Sequence, residues 1–328
     1  MAASRQLSVG GVLCLWAAVV VGAAFYGAWH GYGGRAFAVT LGVLAFFLAC
    51  QLLLAAGNRG EQWARRMGSH CGILLATVPF LAYLIYLSGT HAFTWARMAI
   101  AAAYTLIPVL LVSSRTAAKP GALTDYLAML AIFLPLKLRW LDALWPYPGG
   151  EAGSVASMLL ALNVALAAFL FVRQLEGIGY SFVWGREAAV SVCGNFAMLA
   201  VILIPLGTAL RFIRFDSSFA HWKSLPADAI GIFLLTAWPE EFLFRGLLQN
   251  TLARRLRSDA GGWFTASVIF GLAHIGNNGV FPNWKYALLA AIAGIFYGRT
   301  WRATKSIFPA AVVHTLVDTA WRLLFRTL

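Results

Sequence analysis

Residues 236–250 read TAWPEEFLFRGLLQN, an apolar stretch that carries three ionisable side chains. Glu240 and Glu241 are adjacent, and Arg245 follows Glu241 by four residues. In a helix this spacing puts Glu241 and Arg245 on one face, where they can pair. Successive helical residues point about 100° apart, so Glu240 faces another direction and has no local partner. Charges at membrane depth are costly unless they are paired, which marks this stretch as a candidate functional site.

The composition around this stretch is that of a membrane protein. Of the 328 residues, 61% are hydrophobic and 11% are charged, whereas soluble domains carry about 25% charged residues. The apolar runs are continuous, as in helices, and do not alternate as in a membrane β-barrel. The sequence therefore predicts an all-α polytopic transmembrane helical bundle with about 11 spans and no β-sheet domain. We place the spans at 9–29, 36–56, 71–89, 97–113, 121–137, 154–172, 188–208, 227–248, 262–279, 284–299 and 307–325.

The net charge of +13 comes from basic residues that cluster in short loops between the apolar runs. This distribution follows the positive-inside rule and predicts the lipid bilayer as the partner, with no nucleic acid. The basic loops follow the even-numbered spans, so the N-terminus is predicted to lie in the cytoplasm. Their residues are Arg59, Arg65, Arg66, Arg115, Lys119, Arg173, Arg186, Arg254, Arg255, Arg257, Arg299, Arg302 and Lys305. The basic loop after the seventh span does not follow this pattern, and we interpret it as an interfacial segment.

Ionisable residues are unevenly distributed among the predicted spans. The first four spans contain almost none, whereas the fifth contains Asp125 and the later spans contain several more. We therefore divide the chain into N-terminal transmembrane helices of unknown role, residues 1–120, and a core, residues 121–328.

Two further motifs follow the glutamates. His274 lies in SVIFGLAHIG, and a lone histidine on an apolar helix is more often a packing residue than a catalyst. His314 and Asp318 stand four residues apart, a spacing that suits a metal, a hydrogen-bonded pair or a histidine oriented by a carboxylate. Alternatively, Asp318 forms a structural ion pair with Arg322 and has no catalytic role.

These residues are predicted to lie at one membrane depth. At 1.5 Å per residue, Glu240, His274 and His314 are roughly 20, 18 and 14 Å from the same basic edge. Three helices thus bring a glutamate and two histidines to one level in a bilayer core about 30 Å thick.

Such a group could hydrolyse an amide bond. A buried carboxylate can act as a general base, one histidine can polarise a water, and the second can donate to a developing oxyanion. These motifs place no serine or cysteine as a nucleophile, which favours direct attack by water. Zinc bound by Glu240, His274 and His314 stays an alternative, as does a structural ion-pair network of the two glutamates.

The motifs EExxxR (Glu240, Glu241, Arg245), FxxxH (Phe270, His274) and HxxxD (His314, Asp318) resemble the CPBP family. These CAAX-protease and bacteriocin-processing intramembrane endopeptidases include the type II prenyl-protein peptidases. The resemblance covers residues 225–328 and extends more weakly over 120–328. It implies an intramembrane endopeptidase that acts on a peptide or protein with a membrane-associated terminus.

The resemblance also implies roles for individual residues. Glu240 matches the general base, and His274 helps to activate the water. His314 and the residue at position 318 match the oxyanion-stabilising pair, and Glu241 with Arg245 match the supporting ion pair. No cofactor is expected, although part of the family has been described as metal-dependent, and zinc is possible.

One position departs from the family pattern. The eukaryotic prenyl peptidases carry asparagine where this chain has Asp318, and an ionised aspartate cannot donate to an oxyanion. Asp318 must therefore be protonated or must orient His314.

The C-terminal segments FPNWKYALLAAIAGIFYGRTW (281–301) and AAVVHTLVDTAWRLLF (310–325) resemble a bacterial subgroup associated with exosortase-type C-terminal sorting. That resemblance implies a multi-pass protein of the bacterial inner membrane whose substrate is a membrane-anchored C-terminal tail or sorting signal. The other classes that we consider are a non-catalytic scaffold or immunity protein and a transporter with a proton relay. The chain shows no internal repeat, which argues against a transporter.

Overall fold

The computed structural model describes residues 5–113 and 119–328, and most of these residues are helical. Arg115, one of the predicted loop cations, lies outside the described residues. The α-helices are α1 Val9–Trp29, α2 Gly34–Ala55, α3 Arg59–Leu75, α4 Val78–Gly89, α5 Trp95–Ser113, α6 Leu123–Lys137, α7 Gly150–Leu166, α8 Arg186–Ala209, α9 Leu225–Ile232, α10 Trp238–Glu241, α11 Asn250–Leu256, α12 Asp259–Ala273, α13 Trp284–Thr304 and α14 Ile307–Leu324.

Strands are few and short. β1 (Arg5–Gln6) pairs with β2 (Val183–Trp184), and β3 (Ile213–Phe215) pairs with β4 (Phe325–Thr327), both antiparallel. The predicted all-α polytopic class is therefore confirmed.

Seven helical segments within the described residues are long and apolar enough to cross a membrane. They are Val9–Trp29, Gly34–Ala55, Gly72–Gly89, Trp95–Ser113, Gly150–Val172, Arg186–Ala209 and Ile307–Leu324. The other predicted spans, 121–137, 227–248, 262–279 and 284–299, coincide with helices that are shorter, more polar or divided into segments. The chain is a multi-pass membrane protein, and the count of eleven crossings stays a prediction.

The chain consists of two compact units. The first is Leu7–Glu176, and the second is Gly177–Leu328 together with β1. This division follows contacts between residues and does not test the predicted boundary at residue 120, which stays a prediction. All the candidate site residues belong to the second unit.

A buried ion pair lies within the first unit. Arg173 Nε lies 2.7 Å from Asp125 Oδ1, and the two side chains are 3% and 1% exposed. The backbone N–H groups of Gly121 and Ala122 also donate to the Asp125 carboxylate. We expected Arg173 to be a loop cation at the membrane edge. Its guanidinium is buried against Asp125, and its position relative to the membrane stays a prediction.

The loop after α8, which we interpreted as interfacial, is tied to the C-terminus by the pairing of β3 with β4. The Asp216 carboxylate accepts a hydrogen bond from Arg326. This bond lowers the pKa of the Asp216 carboxyl to about 2, so the carboxylate is ionised at neutral pH.

In the second unit, α12 and α13 pack closely because glycines face the neighbouring helix. A Cβ on Gly271 would lie 2.4 Å from the carbonyl oxygen of Ala287, and a Cβ on Gly294 would lie 3.2 Å from Ser267 Cα. Small residues allow such close approach of helices in membranes. The contact brings α12 and α13 against the segment that carries the glutamates.

The Asp125–Arg173 pair yields a stability prediction. Asp125→Ala leaves a buried guanidinium without its carboxylate, so we expect a loss of about 3–5 kcal/mol in the free energy of unfolding. Thermal unfolding of the purified protein in detergent measures this loss. Asp142→Ala breaks the more exposed pair with Arg139 and should cost less than about 1 kcal/mol. Equal melting temperatures for the two variants would contradict the structural role of Asp125.

Candidate active site

The helix that carries the glutamates is irregular on both sides of α10. Residues Phe233–Ala237 and Phe242–Gln249 are π-helical, and α10 lies between them. Pro239 has no N–H to donate to the carbonyl of Leu235, which disturbs the α-helical ladder at this point. Such π segments are rare and occur frequently at functional sites.

Glu241 is the most connected residue of the site. Its carboxylate is fully buried, and its Oε1 accepts from one terminal nitrogen of Arg245 at 3.1 Å. Arg245 Nε is in ion-pair contact with Oε2 at 3.0 Å. The other terminal nitrogen of Arg245 donates to the carbonyl of Gly294 at 2.9 Å. His314 Nδ1 also lies 3.0 Å from Glu241 Oε1. The Glu241–Arg245 pair predicted from the spacing is present, and it links α13 and α14 to the π-helical segment.

Two aromatic rings cover the guanidinium of Arg245. Its central carbon lies 4.6 Å from the ring centre of Phe270 and 5.3 Å from that of Tyr297. Cation–π contacts of this kind gain strength when the cation is removed from water, and Arg245 is only 1% exposed.

Both ring nitrogens of His314 face carboxylates. Nδ1 donates to Glu241, while Nε2 lies 3.4 Å from Asp318 Oδ2 and 4.0 Å from Glu240 Oε2. Tyr297 stacks on the imidazole, with ring centres 4.6 Å apart and planes 15° apart. A ring held in this way donates from both nitrogens when it is protonated.

The alternative partner of Asp318 is engaged elsewhere. Arg322 Nε lies 3.1 Å from Asp228 Oδ2, on α9. Asp318 therefore contacts His314. Arg322, which we considered as its other possible partner, pairs with Asp228.

His274 occupies a different position from the one predicted. We expected a helix over 262–279 with His274 inside it, but α12 ends at Ala273 and His274 is its C-cap, with φ −97° and ψ 0°. His274 Nδ1 lies 2.7 Å from the carbonyl oxygen of Phe270. A carbonyl oxygen only accepts, so Nδ1 carries the hydrogen, and Nε2 of the neutral ring is an acceptor. Tyr286 stacks on this ring, with centres 5.4 Å apart.

Glu240 lies between the two histidines. Its Oε2 is 3.9 Å from His274 Nε2 and 4.0 Å from His314 Nε2, and these distances exceed those of direct hydrogen bonds. Among the described residues, this buried oxygen has no hydrogen-bond partner. Separations of this size between polar atoms can be bridged by one water molecule.

The same atoms do not fit a tetrahedral zinc as they are placed. Zinc–ligand distances of about 2.0–2.2 Å put neighbouring ligand atoms roughly 3.4 Å apart. The two histidine–Glu240 separations are longer, at 3.9 and 4.0 Å. In the part of the chain that the structure describes, no group of three or more His, Cys, Asp or Glu residues is arranged to hold a metal ion.

Sequence reasoning missed the aromatic rings that hold the two histidines. Tyr286 and Tyr297 both lie on α13 and are 11 residues apart, about three helical turns, so they share a face. Gly294, whose carbonyl accepts from Arg245, lies on the same helix. The spacing of Tyr286 and Tyr297 could have indicated that they share a face of α13. It could not show whether that face stacks on histidines or only packs against other helices.

Comparison with known proteins agrees with this geometry. Residues 222–320 match the family model described as type II CAAX prenyl endopeptidase Rce1-like. The matched segment contains all six predicted site residues. No curated protein and no solved structure matches the chain.

Over the segment 222–320 the chain thus matches a family of intramembrane peptidases. It is the CAAX-protease family that the motifs predicted. The exosortase-associated subgroup and the roles of the individual residues stay predictions.

The contacts of Glu241 predict a loss of folded protein when its charge is removed. Glu241→Ala or Arg245→Ala leaves its buried partner charge uncompensated, which costs about 3–5 kcal/mol. We expect lower yields of folded protein and a lower melting temperature in detergent for both variants. Exposed Glu187 and Arg299 supply the matched controls Glu187→Ala and Arg299→Ala. An unchanged melting temperature in Glu241→Ala would contradict the pairing.

Proposed function

We propose that this protein is an intramembrane endopeptidase that hydrolyses a peptide bond of a membrane-associated substrate with water activated by Glu240. The observation that carries the proposal is the position of Glu240 Oε2. This buried acceptor has no hydrogen-bond partner among the described residues and faces a second acceptor, His274 Nε2, at 3.9 Å.

A water molecule between these two atoms donates one hydrogen to Glu240 and the other to His274. Both hydrogens are then engaged, and a lone pair of the water oxygen is available to attack the scissile carbonyl. As the C–O bond forms, Glu240 takes a proton from the water, which is general base catalysis. His274 orients the water because its Nδ1–H is held by the carbonyl of Phe270.

His314 stabilises the oxyanion that develops on the scissile carbonyl. Its Nδ1–H is held by Glu241, and its Nε2 lies on the Glu240 side of the ring. A proton on Nε2 donates to the oxyanion and is already oriented before the substrate arrives. When the tetrahedral intermediate collapses, Glu240 returns its proton to the amide nitrogen and the C–N bond breaks. The immediate products are a new carboxylic acid and a new amine, and the acid then gives its remaining proton to the amine, which leaves a carboxylate and an ammonium group.

Asp318 acts through His314 as a positioning residue. Its Oδ2 lies 3.4 Å from His314 Nε2, close enough to hold the ring before the substrate carbonyl takes over the N–H. This role needs only an acceptor at position 318, which agrees with the asparagine of the eukaryotic prenyl peptidases.

The proposed substrate is a protein with a membrane-associated C-terminal tail or sorting signal. Among the helices that carry the site, α14 is long and apolar enough to cross a membrane, which supports a substrate that reaches membrane depth. The resemblance of residues 281–325 to the exosortase-associated subgroup favours a membrane-anchored tail in the bacterial inner membrane, with the N-terminus of this protein in the cytoplasm. The reaction as proposed uses no metal or other cofactor.

Glu240→Gln keeps the size of the side chain and removes the base. We expect the rate of cleavage to fall by about a hundredfold to ten-thousandfold with an unchanged melting temperature. The experiment compares the termini of envelope proteins, by mass spectrometry, in cells with the wild-type protein and with Glu240→Gln. Glu187→Gln, at an exposed glutamate of α8, is the control. Identical termini in wild-type and Glu240→Gln cells would overturn the peptidase mechanism.

Two substitutions of Asp318 test whether this residue positions His314 or transfers a proton itself. Asp318→Asn retains an acceptor for His314 Nε2–H, so we expect cleavage within roughly tenfold of the wild-type rate. Asp318→Ala removes the acceptor, and we expect a larger loss, of roughly a hundredfold, which is the cost of misplacing a catalytic group. The same terminal peptides supply the measurement. Equal losses in Asp318→Asn and Asp318→Ala would show that the charge of Asp318 itself is required.

A further inference from the structure

The second unit contains a cavity that the proposed peptidase mechanism does not use. Its volume is about 280 Å³, and it lies where α11 ends, α12 begins and α13 ends. We call it the basic cavity. Its polar and aromatic lining includes Gln249, Asn250, Arg254, Trp301, Arg302 and Lys305.

The charges around the basic cavity favour an anion. Among the described residues that line it are three cations, Arg254, Arg302 and Lys305, and one carboxylate, that of Asp259. Two of these cations make cation–π contacts with tryptophan rings. The Arg302 guanidinium lies 4.8 Å from the ring centre of Trp263, and Lys305 Nζ lies 5.6 Å from that of Trp301.

The lining contains a buried hydrogen-bond acceptor, Gln249 Oε1, that a donor group on a ligand could contact. Gln249 is 1% exposed, and its Oε1 has no hydrogen-bond partner among the described residues. Its Nε2 is directed to the carbonyl of Gly298 at 3.4 Å. A buried acceptor without a donor destabilises the protein by about 1–3 kcal/mol. A hydroxyl or N–H group in the cavity would remove this penalty.

The basic cavity lies where the sequence predicts the membrane edge, which is the level of the lipid headgroups. The ends of three helices meet here, and the basic residues at the C-terminal ends of α11 and α13 are those predicted at that edge. Anionic lipids attract basic residues at this level. The volume equals that of roughly nine water molecules, which suits a headgroup and is too small for an acyl chain as well.

We propose that the basic cavity binds the glycerophosphate headgroup of an anionic phospholipid such as phosphatidylglycerol. The cations hold the phosphate, and a glycerol hydroxyl donates to Gln249 Oε1. The proposal does not depend on the peptidase activity, because it concerns binding alone.

Occupancy of the basic cavity would also support the segment that carries the active site. Gln249 lies one turn beyond Arg245, and Gly298 lies one turn beyond Gly294. Two parallel contacts therefore join the π-helical segment to α13, Arg245 to the carbonyl of Gly294 and Gln249 to that of Gly298. A bound headgroup should raise the melting temperature of the protein.

The test measures lipid binding to the purified full-length protein by native mass spectrometry, with thermal unfolding in parallel. We expect one phosphatidylglycerol to bind about tenfold more tightly than phosphatidylcholine and to raise the melting temperature. The double variant Arg302→Gln/Lys305→Gln should lose about tenfold in affinity for phosphatidylglycerol. The matched control Arg255→Gln/Arg299→Gln removes two exposed cations of the same edge that do not line the cavity, and it should bind as the wild type does.

Three results would overturn the proposal. They are equal binding of both lipids, equal losses in the two double variants, and saturation by soluble glycerol 3-phosphate without binding of phosphatidylglycerol, which would assign the cavity to a soluble phosphate compound. If the cavity variant unfolds, Lys305→Gln alone changes one exposed side chain and should still weaken binding of phosphatidylglycerol.

Discussion

The fully buried carboxylate of Glu241 is the interaction on which the site depends. Its Oε1 accepts one hydrogen bond from Arg245 and one from His314, and its Oε2 is in ion-pair contact with Arg245 Nε. Arg245 in turn donates to the carbonyl of Gly294. A buried carboxylate is costly unless its partners are well placed. Its partners here come from the same helix and from α14, and Arg245 extends the network to α13. The contacts that compensate the charge therefore also fix the helices that carry the site and orient the ring of His314.

The two adjacent glutamates have separate tasks because a helix turns about 100° between them. Glu241 is paired with Arg245. The buried Oε2 of Glu240, by contrast, accepts no hydrogen bond from any described residue. Pro239 and the π-helical segments on either side of α10 place this second carboxylate between two imidazoles. Each imidazole is in turn stacked on a tyrosine of α13. The site therefore combines a carboxylate that is paired with Arg245 and His314 with a second carboxylate whose buried oxygen lies between two imidazoles, as expected for a group that binds and activates water.

Local spacing and membrane depth were enough to predict much of this arrangement. The four-residue spacing predicts the Glu241–Arg245 pair, and equal depth on separate helices predicts that His274 and His314 approach Glu240. The predicted end of the α12 span at residue 279 was wrong, because Gly276, Asn277, Asn278 and Gly279 are typical turn residues and signal an earlier end. α12 ends at Ala273, and the His274 side chain contacts the carbonyl of Phe270 there. Charge counting could not reveal that Arg173 is buried, since its partner Asp125 lies 48 residues away and is brought close only by tertiary folding.

The central claim is that Glu240 and His274 hold a water molecule. The most direct measurement is an experimental structure of the active protein in lipid, with X-ray data recorded at the zinc absorption edge. We predict a water within about 2.7–3.0 Å of both Glu240 Oε2 and His274 Nε2, and no anomalous signal at that position. An anomalous peak bound by Glu240, His274 and His314 would contradict the account and make the metal the activator of the water. A Glu240 side chain turned away from both histidines would contradict it as well.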